Sequence, residues 1–410
     1  MTLTRTNTPP HQSSKKAGRT ATTIKDVALL ARCSIATVSR ALNTPAKVDP
    51  ATLAAVQAAI DATDYRPSAL GRMLRAAHSQ VIGVIVPTIA NPVFGETVQG
   101  IDELASAAGY RVMLMTTEYR TDRERTAIDT LRAHHVDGLI VTVADARAND
   151  ALDALDLADM PYVLAHNDAP ANSQRRSVAV DNFTAAREAV EQMIARGHTR
   201  IRMLAGTLSA SDRALQRVAG YEAAMRTAGL TVAPAIEIDF LSDHLSMDVM
   251  RALARSETTG LFCSNDRLAI VAITSLETQG LSVPGDISVV GFDGLTLGAL
   301  LMPRLTSVCV PNREIGRRAW ASLREAIRGG HKAKQETMPP SIPGTVPFEQ
   351  SAQALSHPSM ALPASNGTSG SNDVHQRLPH ALRLGGTLGT VTERRTRWNC
   401  LEDTPARPSL

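Results

Sequence analysis

Aromatic residues are scarce in this 410-residue sequence, at 3%, so a core must be built from Ala, Val, Leu and Ile. Cysteine is scarcer still: Cys33, Cys263, Cys309 and Cys400, with no C-x-x-C spacing. That set supports neither a disulfide framework nor a zinc site, and fits reduced thiols in a cytoplasm. No apolar run approaches the roughly 18–20 residues a membrane helix needs; the strongest, residues 81–87, is strand-length. The polar, basic start has no apolar h-region, so a secretory signal is not expected. G-x-S-x-G, P-loop, H-E-x-x-H and Gly-rich dinucleotide motifs are all missing. Asp266 and Asp293 could pose as a catalytic pair, but nothing else marks them so. No enzyme activity, cofactor, metal or membrane partner is therefore expected.

The composition that is present, 43% hydrophobic and 20% charged, is that of a soluble globular chain. At about 100–200 residues per domain, the length implies two or three domains. The net charge of +3 is unevenly spread. Residues 1–78 carry 11 Lys+Arg against 4 Asp+Glu, whereas residues 79–355 carry 26 against 32. A basic head on an acidic body suggests a polyanion-binding module joined to a part with other work.

Residues 1–21, rich in Thr, Ser, Pro and Lys, read as a disordered arm. Thr23 can cap a first helix with Ile24, Val27, Ala28 and Ala31 on one face. After a turn at Arg32-Cys33-Ser34, Ser34 can cap a second helix that points Val38 and Leu42 inward. Asp49-Pro50 opens a third helix, to about residue 62. Three short helices, the first two joined by a tight turn, form a helix-turn-helix unit over 22–66. From residue 80 strand-length apolar runs alternate with amphipathic helices. Strands are expected at 81–86, 112–115, 138–142, 162–165, 201–205, 236–240, 260–263 and 287–290. That rhythm predicts an α/β body of two doubly wound parallel-sheet halves, breaking near residue 180. A helix at 315–327 should return to the first half. Residues 355–410, rich in Pro, Ser, Gly, Asn and Arg, read as a disordered tail.

Thr23-Ile24-Lys25-Asp26-Val27-Ala28, followed by Thr37-Val38-Ser39-Arg40-Ala41-Leu42-Asn43, closely resembles the lactose-repressor (LacI) family of bacterial transcription regulators. The likeness continues through Tyr65-Arg66-Pro67-Ser68-Ala69, Ile82-Gly83-Val84-Ile85-Val86-Pro87 and Asn91-Pro92-Val93-Phe94. Arg196-Gly197-His198, Ser264-Asn265-Asp266 and Pro284-Gly285-Asp286-Ile287-Ser288-Val289-Val290-Gly291-Phe292-Asp293 follow in family order. The resemblance implies a DNA-binding head, a hinge helix over 67–79, and a periplasmic-binding-protein-like effector and dimerisation domain over 80–354. The expected function is a repressor that binds a palindromic, double-stranded operator as a homodimer, with affinity switched by a small effector. A solute-binding protein of the periplasmic type would share the body, but would need a signal peptide and would lack the basic head.

Ile35, Ala36, Ser39 and Arg40 share the second helix's outward face, whose start enters the major groove in such motifs. Arg40 is the candidate base reader, because its fork matches guanine O6 and N7. Ile35 and Ala36, at the family's variable positions, can offer only apolar contact to a thymine methyl. Thr23, Thr37, Ser39 and Asn43 are short donors suited to phosphates. By resemblance, Leu74 stands at the hinge's minor-groove wedge; the alternative is a linker in which it packs on the body. Gly71, where relatives often carry Ala, should leave the free hinge less ordered.

In the expected cleft, the resemblance implies that Arg217, Asn265 and Asp293 point at the effector. Their chemistry suits hydroxyls, which favours a sugar or related polyol over a purine. Phe94 and Phe240 are placed to wall a ring, and His166 and Asn167 follow the fourth strand, where relatives differ. Each has a plainer alternative: Asp293 a cap or bridge, Phe94 core, His166 a satisfied loop histidine.

Overall fold

The computed structural model describes residues 22–65, 78–171, 173–240, 242–336 and 374–391. Its contacts divide the chain into two units that meet at Ser79 and Gln80.

The first unit contains α1 (Ile24–Leu30), α2 (Ile35–Asn43) and α3 (Pro50–Thr63). Local chemistry starts each helix. The Thr23 N–H and hydroxyl both donate to Asp26 Oδ2, at 2.7 and 2.8 Å. Ser34 Oγ accepts from Thr37 N–H at 3.0 Å, and Asp49 accepts from Ala51 and Thr52 ahead of Pro50. The turn between α1 and α2 places Arg32 in the left-handed region, at φ 50°. Six small apolar residues close the core: Val27, Ala28, Val38, Ala41, Val56 and Ala59.

The second unit holds two six-stranded sheets. The first-lobe sheet is ordered β11-β5-β4-β3-β1-β2. Its strands are β1 (Val81–Val86), β2 (Arg111–Thr116), β3 (Gly138–Val141), β4 (Tyr162–Ala165), β5 (Arg176–Val180) and β11 (His375–Leu378), all parallel. The second-lobe sheet is ordered β12-β10-β9-β8-β6-β7. It consists of β6 (Ile201–Ala205), β7 (Ile236–Glu237), β8 (Gly260–Cys263), β9 (Ser288–Asp293), β10 (Thr306–Cys309) and β12 (Ala381–Arg383). Only β12 runs antiparallel to its neighbour. Helices α4 (Pro92–Ala107), α5 (Thr121–Ala133) and α6 (Asp150–Leu157) belong to the first lobe. α7 (Asn182–Ile194), α8 (Asp212–Thr227), α9 (Met247–Arg255), α10 (Asp266–Thr278) and α11 (Thr296–Leu300) belong to the second. The long α12 (Asn312–Glu336) returns to the first lobe and packs on α4. Two glycines permit that close approach. A Cβ on Gly100 would stand 2.0 Å from the Arg313 carbonyl oxygen, and one on Gly316 2.1 Å from that of Thr97. The aromatics are few but central: Trp320 is 2% exposed and meets Tyr110 edge-on at 5.0 Å.

The expected break near residue 180 falls where β5 ends and α7 begins. The reading of 355–410 as disordered is corrected for residues 374–391. They form β11 in the first lobe and β12 in the second, so the chain crosses between lobes here as it does after β5 and after β10. Thr387 is fully buried, donating to the Val289 carbonyl at 2.7 Å and accepting from Thr306 N–H at 2.9 Å. Arg383 donates to the carbonyls of Gly294 and Leu295. β5 and β10 were not expected either. Their runs, Arg-Ser-Val-Ala-Val and Thr-Ser-Val-Cys, are short and broken by hydroxyls that only burial between neighbouring strands accommodates. β7 is two residues long, against the five expected at 236–240.

Candidate functional sites

On the head, the outward face of α2 is as the periodicity implies. Ile35 (43% exposed), Ala36 and Arg40 are exposed; Thr37 and Ser39 are half-buried beside buried Val38. Two of the proposed phosphate donors are already engaged locally: Thr23 bonds Asp26, and the Thr37 hydroxyl lies 2.8 Å from Ser34 Oγ. Asn43 closes α2, and its side chain is outside the described residues, as are Gly71 and Leu74.

In the body, a cavity of about 460 Å³ opens between the lobes, in the range typical of small-molecule sites. All six expected effector residues line it: Phe94, His166, Arg217, Phe240, Asn265 and Asp293. The fold explains why. In both parallel sheets the residues just past the carboxyl ends of the strands face one crevice. Tyr119 follows β2, His166 follows β4, Asn182 follows β5, Phe240 follows β7, Asn265 follows β8, and Asp293 ends β9.

A charge pair dominates the second-lobe wall. Arg217 donates from Nε to Asn182 Oδ1 at 2.8 Å and from Nη1 to the Ser264 carbonyl at 2.5 Å. Asp293 Oδ1 stands 3.4 Å from Nη1. The guanidinium also stacks 3.7 Å over the Phe292 ring. Burial raises the Asp293 carboxyl to about 7, with Arg217 opposing the shift; burial likewise lowers the Arg217 value. Asp293 thus bridges and also faces the cavity. Asn265 serves twice as well: its Oδ1 caps α10 by accepting from Leu268 N–H at 2.8 Å, which leaves the amide nitrogen to the cavity side.

An aromatic row spans the opening. Tyr119 of the first lobe stands 6.5 Å from Phe94 and 6.0 Å from Phe240 of the second. Phe94, 4% exposed, is both core and wall. His166 meets Phe94 edge-on at 5.8 Å and lies 2.8 Å from Thr97 Oγ1. Burial, aided by Arg213 and Arg217, pushes its pKa down to about 3, so it is a neutral, hydrogen-bonded histidine.

Beside the cavity the lobes are joined by a buried polar cluster that the sequence reading missed. The Asn167 amide donates to both oxygens of Asp212 at 2.9 Å and to the Val143 carbonyl at 2.9 Å. Its own oxygen accepts from Val143 N–H at 3.0 Å. Asp212 also accepts from Ala146 N–H, and Arg213 donates to Val143 O at 2.9 Å. The first turn of α8 is so fastened to the loop after β3. Adjacent Asp212-Arg213 in a helix looks like solvated surface, and only the tertiary fold brings Asn167 to it. Asn182, Arg213, Tyr119 and Asn312 are cavity residues missed for the same reason.

A helix-turn-helix head with an exposed reading helix, carried by a two-lobed body with a cavity at its strand ends, defines a ligand-responsive DNA-binding transcription regulator. The chain belongs to the LacI family: residues 23–68 match the bacterial regulatory proteins of the lacI family, and residues 79–352 match the periplasmic binding proteins and sugar binding domain of the LacI family. It is 33% identical to the HTH-type transcriptional repressor CytR of Escherichia coli K12, over 77% of this chain and 93% of that protein. It is 32% identical to catabolite control protein A of Priestia megaterium, over 81% and 99%. Among solved structures, transcription regulator GntR from Chromobacterium violaceum aligns with TM-score 0.60 at 26% identity, covering 75% of this chain and 99% of that one. The lac repressor dimer bound to operator and the anti-inducer ONPF shares the fold, with TM-score 0.70 at 24% identity over 90% and 100%. The match to the head sets aside the solute-binding alternative. These relatives are regulators, not enzymes. Among the described residues no helix is long and apolar enough to cross a membrane, and no group of His, Cys, Asp and Glu could hold a metal.

Proposed function

We propose that this regulator is a repressor that binds a palindromic operator as a homodimer, and that a small sugar-like effector in the interlobe cavity sets its DNA affinity. The observation that carries the effector class is the pairing of Arg217 and Asp293 on one wall with an aromatic row at the opening. Carboxylate, guanidinium and amide groups together donate to and accept from hydroxyls, while ring faces cover the apolar side of a pyranose or furanose. The transcriptional regulator CelR, solved as its cellobiose complex, aligns at 25% identity with TM-score 0.56 and supports this reading. The name of the CytR relative supports repression. Arg40 reads a base, Ile35 and Ala36 contact thymine methyls, and Thr23, Thr37, Ser39 and Asn43 sit at phosphates. An effector acts through the difference in its affinity for two states of the body, and Leu74 in the hinge segment carries that difference to the minor groove.

Thermal melts of the full chain against sugars, sugar acids and nucleobases test the effector class, since a ligand of the folded state raises its stability. Stabilisation by a nucleobase and by no sugar overturns it. Leu74→Ala should retain effector binding yet bind operator more weakly, with less DNA bending. Unchanged operator affinity in that variant removes the wedge.

A further inference from the structure

Asn312 opens α12 on the first-lobe side of the cavity, and nothing in its sequence context singles it out. It is 2% exposed. Its Nδ2 donates to Glu96 Oε2 at 2.9 Å. That bond orients the amide, because the flipped form would set two acceptors against each other. Oδ1 is therefore turned away from Glu96, and it is buried without a partner on a residue that lines the cavity.

A second acceptor stands on the same support. Thr97 Oγ1 donates to the Val93 carbonyl at 2.9 Å and lies 3.3 Å from the Asn312 carbonyl. Its single proton is committed to these carbonyls, which can only accept. The 2.8 Å contact between Thr97 Oγ1 and His166 Nε2 must then be donated by the histidine. In the neutral ring this leaves Nδ1 as a lone-pair acceptor. The contact with Thr97 is the sole hydrogen bond of the His166 ring among the described residues. The helix approach permitted by Gly100 and Gly316 is what brings Thr97 and Asn312 together.

The wall thus presents two oriented acceptors with the Glu96 carboxylate behind one of them. Across the cavity, both guanidiniums stand beside carboxylates: Arg217 by Asp293 at 3.4 Å and Arg213 by Asp212 at 3.2 Å. An anionic ligand would therefore meet a carboxylate beside either guanidinium. A buried acceptor without a donor costs stability, so a ligand that supplies the donor recovers it. We infer that Asn312 Oδ1 and His166 Nδ1 are specificity-determining acceptors that select a neutral ligand donating hydroxyl protons and exclude a carboxylate or phosphate from this wall. The inference rests on the effector reading of the cavity and adds the charge and donor pattern of the effector.

The test is calorimetric titration of the full-length chain with matched probes: D-glucose, D-gluconate and D-glucuronate; D-ribose and ribose 5-phosphate; cellobiose; adenosine and adenine. At least one neutral hydroxylated probe should bind ten-fold or more tighter than its acidic counterpart. Adenosine binding without adenine or ribose binding would place the hydroxyls on a nucleoside; ribose or glucose binding would place them on a free sugar. Asn312→Ala should weaken the neutral probe at least ten-fold and narrow the gap to its acid. The melting temperature of ligand-free Asn312→Ala should barely change, since Glu96 is half-exposed and water can replace the lost donor. His166→Gln is the second variant should Asn312→Ala fail to fold, with the same weakening expected. An acid that binds as tightly as its neutral partner, or full affinity in the folded variants, overturns the inference. Binding of adenine alone, weakened by Asn312→Ala, overturns the sugar reading while the acceptor assignment stands. Binding of no probe overturns both.

Discussion

Arg40 and Asp293 show how differently single residues carry this function. Arg40 stands in water on α2, and its value lies in what it can reach. Arg40→Ala should lower operator affinity by about 1–3 kcal/mol and relax preference at one base pair per half-site. Equal loss on operator and random DNA would make Arg40 a phosphate contact instead. Asp293 is 5% exposed, and its value lies in its surroundings. Its folded pKa, about 7, is above its ordinary 3.8, so the folded state holds a proton that the unfolded chain has released. That contribution to stability is complete below 3.8 and is lost as pH rises toward about 7. Asp266, raised to about 6, acts in the same sense. His166, lowered to about 3, acts oppositely, losing stability as pH falls below its ordinary 6.5. The wild-type curve mixes these contributions, so the difference between wild type and Asp293→Asn is the clean observable. That difference should shrink as pH rises from 3.8 to about 7 and then level. A pH-independent difference in thermal melts would place the Asp293 carboxylate in its charged form throughout.

At the scale of elements, the carboxy-terminal strands are the least expected parts. β11 pairs with β5 over four residues and β12 with β10 over three. The segment that follows holds β9 through Thr387 and meets Arg196 and His198 of the second lobe. Ending the chain after Ala354 removes all of this. It strips the outer-edge backbone partners from β5 and β10, which keep only β4 and β9, and leaves the hydroxyl and amide of Thr306 unpaired. The shortened chain should melt well below wild type and lose effector binding, while the separate three-helix core of the head keeps its helicity. A truncated chain with unchanged melting temperature would show the strands to be dispensable.

For the body as a whole, the polar cluster around Asp212 is the element that ties lobe to lobe beside the cavity. Hydrogen bonds to a charged group are worth about 1.5–3 kcal/mol, and the Asn167 amide supplies one, shared between the two Asp212 oxygens. Asn167→Ala should favour separation of the lobes and cost roughly ten-fold or more in effector affinity, since 1.4 kcal/mol is a factor of ten. Small-angle scattering of the variant should give a larger radius of gyration, and ligand addition should restore the wild-type value. An unchanged radius and affinity would mean that other contacts set the closure.

Much of this was legible from one dimension. The three helices of the head follow from caps at Thr23, Ser34 and Asp49 and from a 3.6-residue apolar period, both local signals. Arg217, Asn265 and Asp293 were placed in the cleft by family likeness, with Phe94, Phe240 and His166 expected beside them; the fold brings all six to one crevice, four of them at or just past strand ends. Burial and partnership were not legible, since both depend on groups distant in sequence. Asp212 meets Asn167 across 45 positions, and Thr97 meets Asn312 across 215. β11 and β12 read as tail because only Leu378 and Leu382 among their residues pack on the core. A short strand with so little apolar surface has no period of its own to display. It is held by backbone hydrogen bonds to sheets already formed, and that is a property of the tertiary structure alone.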